Sequence, residues 1–264
     1  MITSHQNPLV KKVKRLHQKK YRRQEKAFFV EGLRVALAAI EQNAPIQAII
    51  YAPDLLTSDI AFNAVAEQER RGVNCVAVSR ELFLTMSGRD NPAGLGAIIE
   101  SVWNDLNSLT VQTADLWLAL VEVGDPGNLG TILRTADAFD VAGVILVGDS
   151  VDPFHPTAVK ASMGTLFTLP IVQVEHISQV LEWAANNKVQ TIATSAKARH
   201  PVRETAVQYP ALLLLGSEGE GLPPNILAAA DLQLTIPMRG TATSLNLAIA
   251  AGILMYEFRI EKSA

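Results

Sequence analysis

The stretch Leu212-Leu-Leu-Leu-Gly-Ser-Glu-Gly-Glu-Gly-Leu222 sets four consecutive leucines against a loop rich in glycine. Four leucines without polar alternation read as a strand that is apolar on both faces. Such a strand belongs inside a parallel sheet covered by helices on both sides. Ligands of open parallel sheets bind beyond the carboxyl ends of the strands. Glycine at that position lets a ligand approach the backbone and supplies turns with positive φ. Ordinary turn chemistry yields the same pattern in any single loop, so the weight of the reading depends on how often it recurs.

It recurs twice. Val121-Glu-Val-Gly-Asp-Pro-Gly-Asn-Leu-Gly130 leaves an apolar run at 116–121 and enters a helical segment bearing Arg134. Ile236-Pro-Met-Arg-Gly-Thr-Ala-Thr-Ser-Leu-Asn246 leaves another at 232–236 and enters a closing helix over 245–259. Between them the periodicity predicts strands at 144–147, 169–172 and 191–194 and helices at 129–139, 157–163, 177–186 and 224–229. Strands separated by helices define an α/β layer structure. The first hundred residues alternate similarly, with strands at 27–30, 46–51, 75–78 and 97–99 and helices at 33–41, 60–71 and 81–86. Residues 101–113 are polar without period and read as a linker. The expected organisation is therefore a domain over 1–100, a linker over 101–113 and a parallel-sheet domain over 114–264.

Familiar nucleotide motifs fail. Gly124, Gly127 and Gly130 do not make G-x-G-x-x-G, no Gly-Lys-Ser/Thr follows a glycine loop, and Ser217 misses the nucleophile elbow by one residue. Dehydrogenase, P-loop and hydrolase readings lose ground accordingly. The five histidines are scattered and no pair has zinc-ligand spacing, so no metal is expected. The single cysteine, Cys75, fits a reducing cytoplasm. Lysines and arginines interrupt the N-terminus, leaving no signal-peptide core, and no apolar run is long enough to span a bilayer.

The net charge of −3 conceals an asymmetry. Residues 1–26 hold Lys11, Lys12, Lys14, Arg15, Lys19, Lys20, Arg22, Arg23 and Lys26 against Glu25 alone, which is +8 and leaves −11 on the rest. A basic arm on an acidic body points to a polyanion. A solvated helix face or a disordered tail gives the same run of charge.

Taken together, Asn128-Leu-Gly-Thr-Ile-Leu-Arg134, Leu215-Gly-Ser-Glu-Gly-Glu-Gly-Leu222 and Ile236-Pro-Met-Arg-Gly-Thr-Ala-Thr-Ser-Leu-Asn246 resemble, in order and spacing, the three motifs of the SpoU/TrmH family of SPOUT-superfamily RNA methyltransferases. Asn7-Pro-Leu-Val-Lys-Lys12 and Phe29-Val-Glu-Gly-Leu-Arg34 are similar to the ribosomal-protein-like substrate-binding domain of that family. Asp140 stands where the first motif often has glycine. The resemblance implies an α/β fold with a C-terminal trefoil knot, an exception to normal topology that spacing alone would not suggest. It implies S-adenosylmethionine as cofactor, held by Thr194, Ser195, Leu215, Gly216, Gly219, Ile236, Met238, Ser244, Leu245 and Asn246. Asn128, Arg134, Glu218, Ser244 and Asn246 are the implied catalytic set. Arg134 follows Asn128 by a helical turn or so, and both are expected to face one site. Its guanidinium stays protonated and cannot serve as a base, so gripping a phosphate and stabilising a developing alkoxide is the role left to it. Glu218 reads equally as a partner of Arg134 or a water and as a loop-ordering carboxylate.

Lys11, Lys12, Lys14, Arg15, Lys19, Lys20, Arg22 and Arg23 are then the expected phosphate contacts to RNA. By the same analogy the substrate is large-subunit ribosomal RNA, with transfer RNA methylation or a non-catalytic ribosome assembly role as the alternatives. The closing helix is apolar around nearly its whole circumference and must be covered on every side, which with the resemblance implies a homodimer through the C-terminal domain.

Overall fold

The computed structural model describes residues 1–259; residues 260–264, the end of the expected methyltransferase domain, lie outside the described residues. In chain order the elements are α1 (Pro8–Leu16), α2 (Lys19–Glu25), β1 (Ala27–Glu31), α3 (Leu33–Glu41), β2 (Ile46–Tyr51), α4 (Asp59–Arg70), β3 (Cys75–Ala77), α5 (Arg80–Met86) and β4 (Leu95–Glu100). They continue with β5 (Leu116–Val121), α6 (Pro126–Ala138), β6 (Gly143–Val147), α7 (Pro156–Ser162), β7 (Ile171–Val174), α8 (Ile177–Asn186), β8 (Gln190–Thr194) and β9 (His200–Pro201). The last are β10 (Ala211–Leu215), α9 (Pro224–Ala229), β11 (Leu232–Thr235) and α10 (Leu247–Arg259). β7 begins two residues later than its apolar run suggests, because Pro170 has no N–H to give a ladder.

The chain forms two compact units. Unit 1 is Met1–Val102 together with Asp152–Thr168, and unit 2 is Trp103–Val151 and the chain from Leu169 onward. Unit 1 is built on a four-stranded mixed sheet of order β1-β4-β2-β3, with β4 antiparallel to both β1 and β2 and β3 parallel to β2. The basic arm is not a tail. Asn7 accepts the N–H of Leu9 at 2.9 Å and Pro8 occupies the first turn, a favourable helix start. Val10, Val13 and Leu16 then bury one face of α1 while Lys11, Lys14 and Arg15 stay exposed. The excursion Asp152–Thr168 belongs to this unit through its rings: Phe154 lies 4.7 Å and Phe167 6.3 Å from Phe28, centroid to centroid.

Arg22 departs from its expected role as an RNA contact. It is 2% exposed. Its Nη2 and Nε meet Asp152 Oδ2 at 2.7 and 2.9 Å, and its Nη1 donates to the carbonyls of Leu16 and His17. A cation so enclosed has no face left for a phosphate; its charge closes the turn between α1 and α2 onto the excursion.

Among the described residues, unit 2 carries a seven-stranded sheet of order β7-β6-β5-β10-β8-β11-β9 in which every neighbouring pair is parallel. β5, β6 and β10 are buried along their whole length, as their unbroken apolar composition requires. From β5 the chain winds outward through β6 to β7, then returns to the other side of β5 through β8 and β10. The order thus reverses between β5 and β10. α10 packs on α6, and its end is fastened by Arg259, which donates to the carbonyls of Ala114 and Asp140, and by the Tyr209 hydroxyl on the Phe258 carbonyl.

Candidate active site

The reversal between β5 and β10 is where an open parallel sheet opens a crevice beyond its strand ends, and the glycine loops gather there. The loop after β10 is a tight return: the Gly221 N–H donates to the Ser217 carbonyl at 3.0 Å, with Gly221 at φ +72°. Gly216 lies beneath it. A Cβ at Gly216 would stand 2.0 Å from the Gly221 carbonyl carbon, so only glycine fits. Gly219, at the other extreme, has nothing within 4 Å of where a Cβ would point. One glycine lets the loop close on itself, and the other leaves its outer side open to a ligand.

This loop, the end of β8 and the segment after β11 enclose a cavity of about 530 Å³. Thr194, Ser195, Leu215, Gly216, Gly219, Ile236, Met238, Ser244 and Leu245 all line it, which is the expected cofactor set apart from Asn246. Ser217, inside the expected segment 215–219, lines it as well, and so do Lys197, Glu220 and Leu222, which were not singled out from the sequence. Their place beside a recognised glycine is the signal that could have found Glu220 and Leu222.

At the cavity rim three side chains, one from the first turn of α6 and two from loops, form a chain of hydrogen bonds. Asn246 Nδ2 donates to Asn128 Oδ1 at 3.0 Å, and Asn128 Nδ2 donates to Glu218 Oε1 at 3.0 Å. Each amide is fixed from its far side. Asp125 caps α6 by accepting the Asn128 N–H at 2.6 Å. Asn246 Oδ1 accepts the N–H groups of Ala248 and Ile249, at 2.9 and 3.3 Å, as α10 begins. Burial raises the Glu218 carboxyl, but hydrogen bonds from Asn128 and from the backbone N–H groups of Glu218, Gly124 and Asp125 outweigh it and hold the group below the usual carboxylate range. Glu218 is therefore an anion at neutral pH, and the partner it orders is Asn128 rather than Arg134.

Arg134 stands apart. Six residues along α6 carry it through about 600°, so it sits roughly 120° around the axis from Asn128, not on the same stripe as expected. It is exposed and has no hydrogen-bond or ion-pair partner among the described residues. Ser244 lines the cavity. Among the described residues no cluster of His, Cys, Asp and Glu could hold a metal, and no helix is long and apolar enough to cross a membrane.

A parallel α/β unit with a glycine-floored cavity beyond the carboxyl ends of β8, β10 and β11 is a ligand-binding domain in form. Comparison with known proteins makes the class specific: the SpoU rRNA methylase family matches residues 115–256, and an MRM3-like substrate-binding domain matches residues 7–97. The 23S rRNA (guanosine(2553)-2′-O)-methyltransferase RlmP of Bacillus subtilis is 30% identical over 98% of this chain and 98% of its own length. The crystal structure of an AdoMet-bound rRNA methyltransferase from Sinorhizobium meliloti has a TM-score of 0.89 and 35% identity, covering 98% of this chain and 96% of that one. The SpoU methyltransferase AviRb from Streptomyces viridochromogenes, in complex with AdoMet, has a TM-score of 0.85 and 28% identity, over 96% of this chain and 97% of that one. The chain belongs to the SpoU rRNA methylase family, and with it to the S-adenosylmethionine-dependent RNA 2′-O-methyltransferases.

Proposed function

We propose that this chain methylates a ribose 2′-hydroxyl of large-subunit ribosomal RNA, and that the Asn246–Asn128–Glu218 chain at the cavity rim is the working face of the site. That chain of hydrogen bonds is the observation that carries the reading. It joins all three motifs at one point beside a cavity whose glycine floor and mixed apolar and polar wall suit a nucleoside. The B. subtilis relative, by name a 23S rRNA 2′-O-methyltransferase along nearly the same length, supports the ribosomal substrate.

Thr194, Ser195, Leu215, Gly216, Gly219, Ile236, Met238, Ser244, Leu245 and Asn246 would hold S-adenosylmethionine, whose sulfonium supplies an electrophilic methyl group. The chain's own residues then have separable tasks. Glu218, ionised and facing Asn128, fixes the amide so that its remaining capacity is presented to the ribose. Arg134 grips an RNA phosphate and stabilises negative charge on the ribose oxygen as its proton leaves. Ser244 and Asn246 brace the start of α10 against the cofactor site. The chain's return from β11 through 236–246 to α10 is the segment that would form the trefoil knot. Residues 1–100 would serve as the RNA substrate-binding domain, 101–113 as a linker and 114–264 as the methyltransferase domain, at work in the cytoplasm where ribosomal RNA is found.

The dimer expectation gains support from α10. Leu247, Ala248, Ala251, Leu254 and Met255 are buried, yet Ile249 and Tyr256 remain 56% and 48% exposed, one stripe along the helix. A second copy would cover that stripe. Sedimentation at micromolar concentration is expected to give about twice 28.5 kDa, and a monomer mass refutes the dimer. The activity itself is tested by supplying tritiated-methyl cofactor with transcripts of large-subunit ribosomal RNA and of transfer RNA. Label confined to one ribose of the ribosomal transcript is the expected result. Label on a base, or on transfer RNA alone, overturns the assignment.

A further inference from the structure

We infer that Arg89, seated on Gly32, is a phosphate-gripping position of the RNA-binding surface; this rests on the RNA methyltransferase reading above. The motif Phe29-Val-Glu-Gly-Leu-Arg34 runs from β1 into α3, and its glycine is at φ +108°. A Cβ at Gly32 would lie 2.8 Å from Arg89 Nη1 and 3.0 Å from both Cζ and Nη2. The guanidinium of Arg89 therefore rests directly on the Gly32 backbone, in space that any other residue would fill.

The glutamate of the same motif holds the loop that delivers Arg89. The Ser87 hydroxyl donates to Glu31 Oε1, and the Gly88 N–H donates to Glu31 Oε2 at 3.0 Å. Ser87 Oγ in turn accepts the Arg89 N–H at 3.0 Å. Both carboxylate oxygens are thus occupied by the loop's hydroxyl and backbone. The residue is half-buried, its backbone is bound by Ser87, and its guanidinium has no hydrogen-bond or ion-pair partner among the described residues. An arginine carries five donors in a fixed fork. Removing part of its hydration and fixing its loop without supplying an acceptor is costly for the free protein, and it pre-organises the fork for a bidentate oxyanion.

The surroundings select the partner. Gly88 sits against His17, whose Nε2 lies 3.0 Å from the Met86 carbonyl, and His17 closes α1 just beyond the exposed Lys14 and Arg15. Arg34, also exposed, follows two residues after Gly32. A half-desolvated arginine continuous with a cationic helix end fits a repeating polyanion, which in this protein is the RNA backbone.

The test uses the full chain, a large-subunit ribosomal RNA transcript and filter binding across a potassium chloride series. Arg89→Ala is expected to weaken binding about tenfold and to lower the salt slope by about one phosphate contact. Arg89→Lys should recover the slope but not the full affinity, since an ammonium lacks the fork. Arg70→Ala, which removes a charge paired with Glu67 on α4, should change neither. Calorimetry should show wild-type affinity for S-adenosylmethionine in all three. Arg89→Ala with wild-type slope and affinity overturns the inference while leaving the methyltransferase reading intact. A wild-type protein that binds no ribosomal RNA at any salt overturns that reading instead.

Discussion

Arg22 in unit 1 and Arg134 in unit 2 look alike in the sequence, and the fold places them in opposite environments. Arg22 is enclosed, with Asp152 and two backbone carbonyls taking its donors. Arg134 stands on the open side of α6 with no partner among the described residues. The two regions show that a cation's neighbours, rather than its type or the charge run around it, decide whether it holds the protein together or is offered to a ligand. A buried pair that loses one member strands the other, whereas an exposed arginine can leave without structural consequence.

The largest effect should therefore come from Arg22→Ala. It leaves the part-buried Asp152 carboxylate without its cation, at a cost of about 3 kcal/mol, the lower end for a broken buried pair, read as a lower denaturation midpoint. It also removes the second of the two influences that hold His155 below its usual pKa, the first being burial. If the midpoint stays within about 0.5 kcal/mol of wild type, the pair does not hold unit 1 together.

Arg134→Ala should reverse the pattern. Stability should move by less than about 0.5 kcal/mol, and cofactor affinity by no more than a few-fold. Methyl transfer should fall about 10²- to 10³-fold, as when one donor to a developing oxyanion is lost. A tritiated-methyl assay showing normal turnover would falsify the role. Asn128→Ala, which breaks the rim chain at its centre, should be milder, lowering kcat about tenfold for about 1.4 kcal/mol of lost orientation. Asn128→Asp sharpens the point, because it sets two carboxylates face to face and should be worse than alanine; equal rates for the two variants would show that the amide does not face Glu218 during catalysis.

The smallest effect concerns pH. The folded Glu218 carboxyl is held below its ordinary value of 4.5. Its hydrogen bonds therefore contribute fully above that ordinary value and fade only as pH falls through the lower folded one. Across the neutral range Glu218 should add no inflection to kcat. An acid limb above pH 5 that disappears in Glu218→Gln would contradict this.

Much of unit 2 was legible because its physics is local. Four leucines in succession at 212–215 have no amphipathic option, so an interior strand follows, and glycine beside such a strand marks the end where a ligand approaches. The three-motif resemblance then picked out residues that the fold gathers around one cavity. The arm over 1–26 was less legible. Its charge dominates, yet the buried spacing Val10, Val13, Leu16 behind the Asn7 cap is what makes α1 a packed helix. The excursion Asp152–Thr168 was invisible, since nothing in its composition says that Phe154 and Phe167 pair with Phe28, more than a hundred residues earlier.

By itself the sequence determined the α/β layer character, the three loops and the chemistry they can hold, because strand burial, turn formation and side-chain type act over a few residues. Only the tertiary structure decided that Glu218 faces Asn128, that Arg22 is spent on Asp152 and that the Arg89 guanidinium rests unpartnered on Gly32. Each depends on groups 57 to 130 positions apart being brought within a few ångströms, and hydrogen bonds and ion pairs have no reach along the chain, only through space.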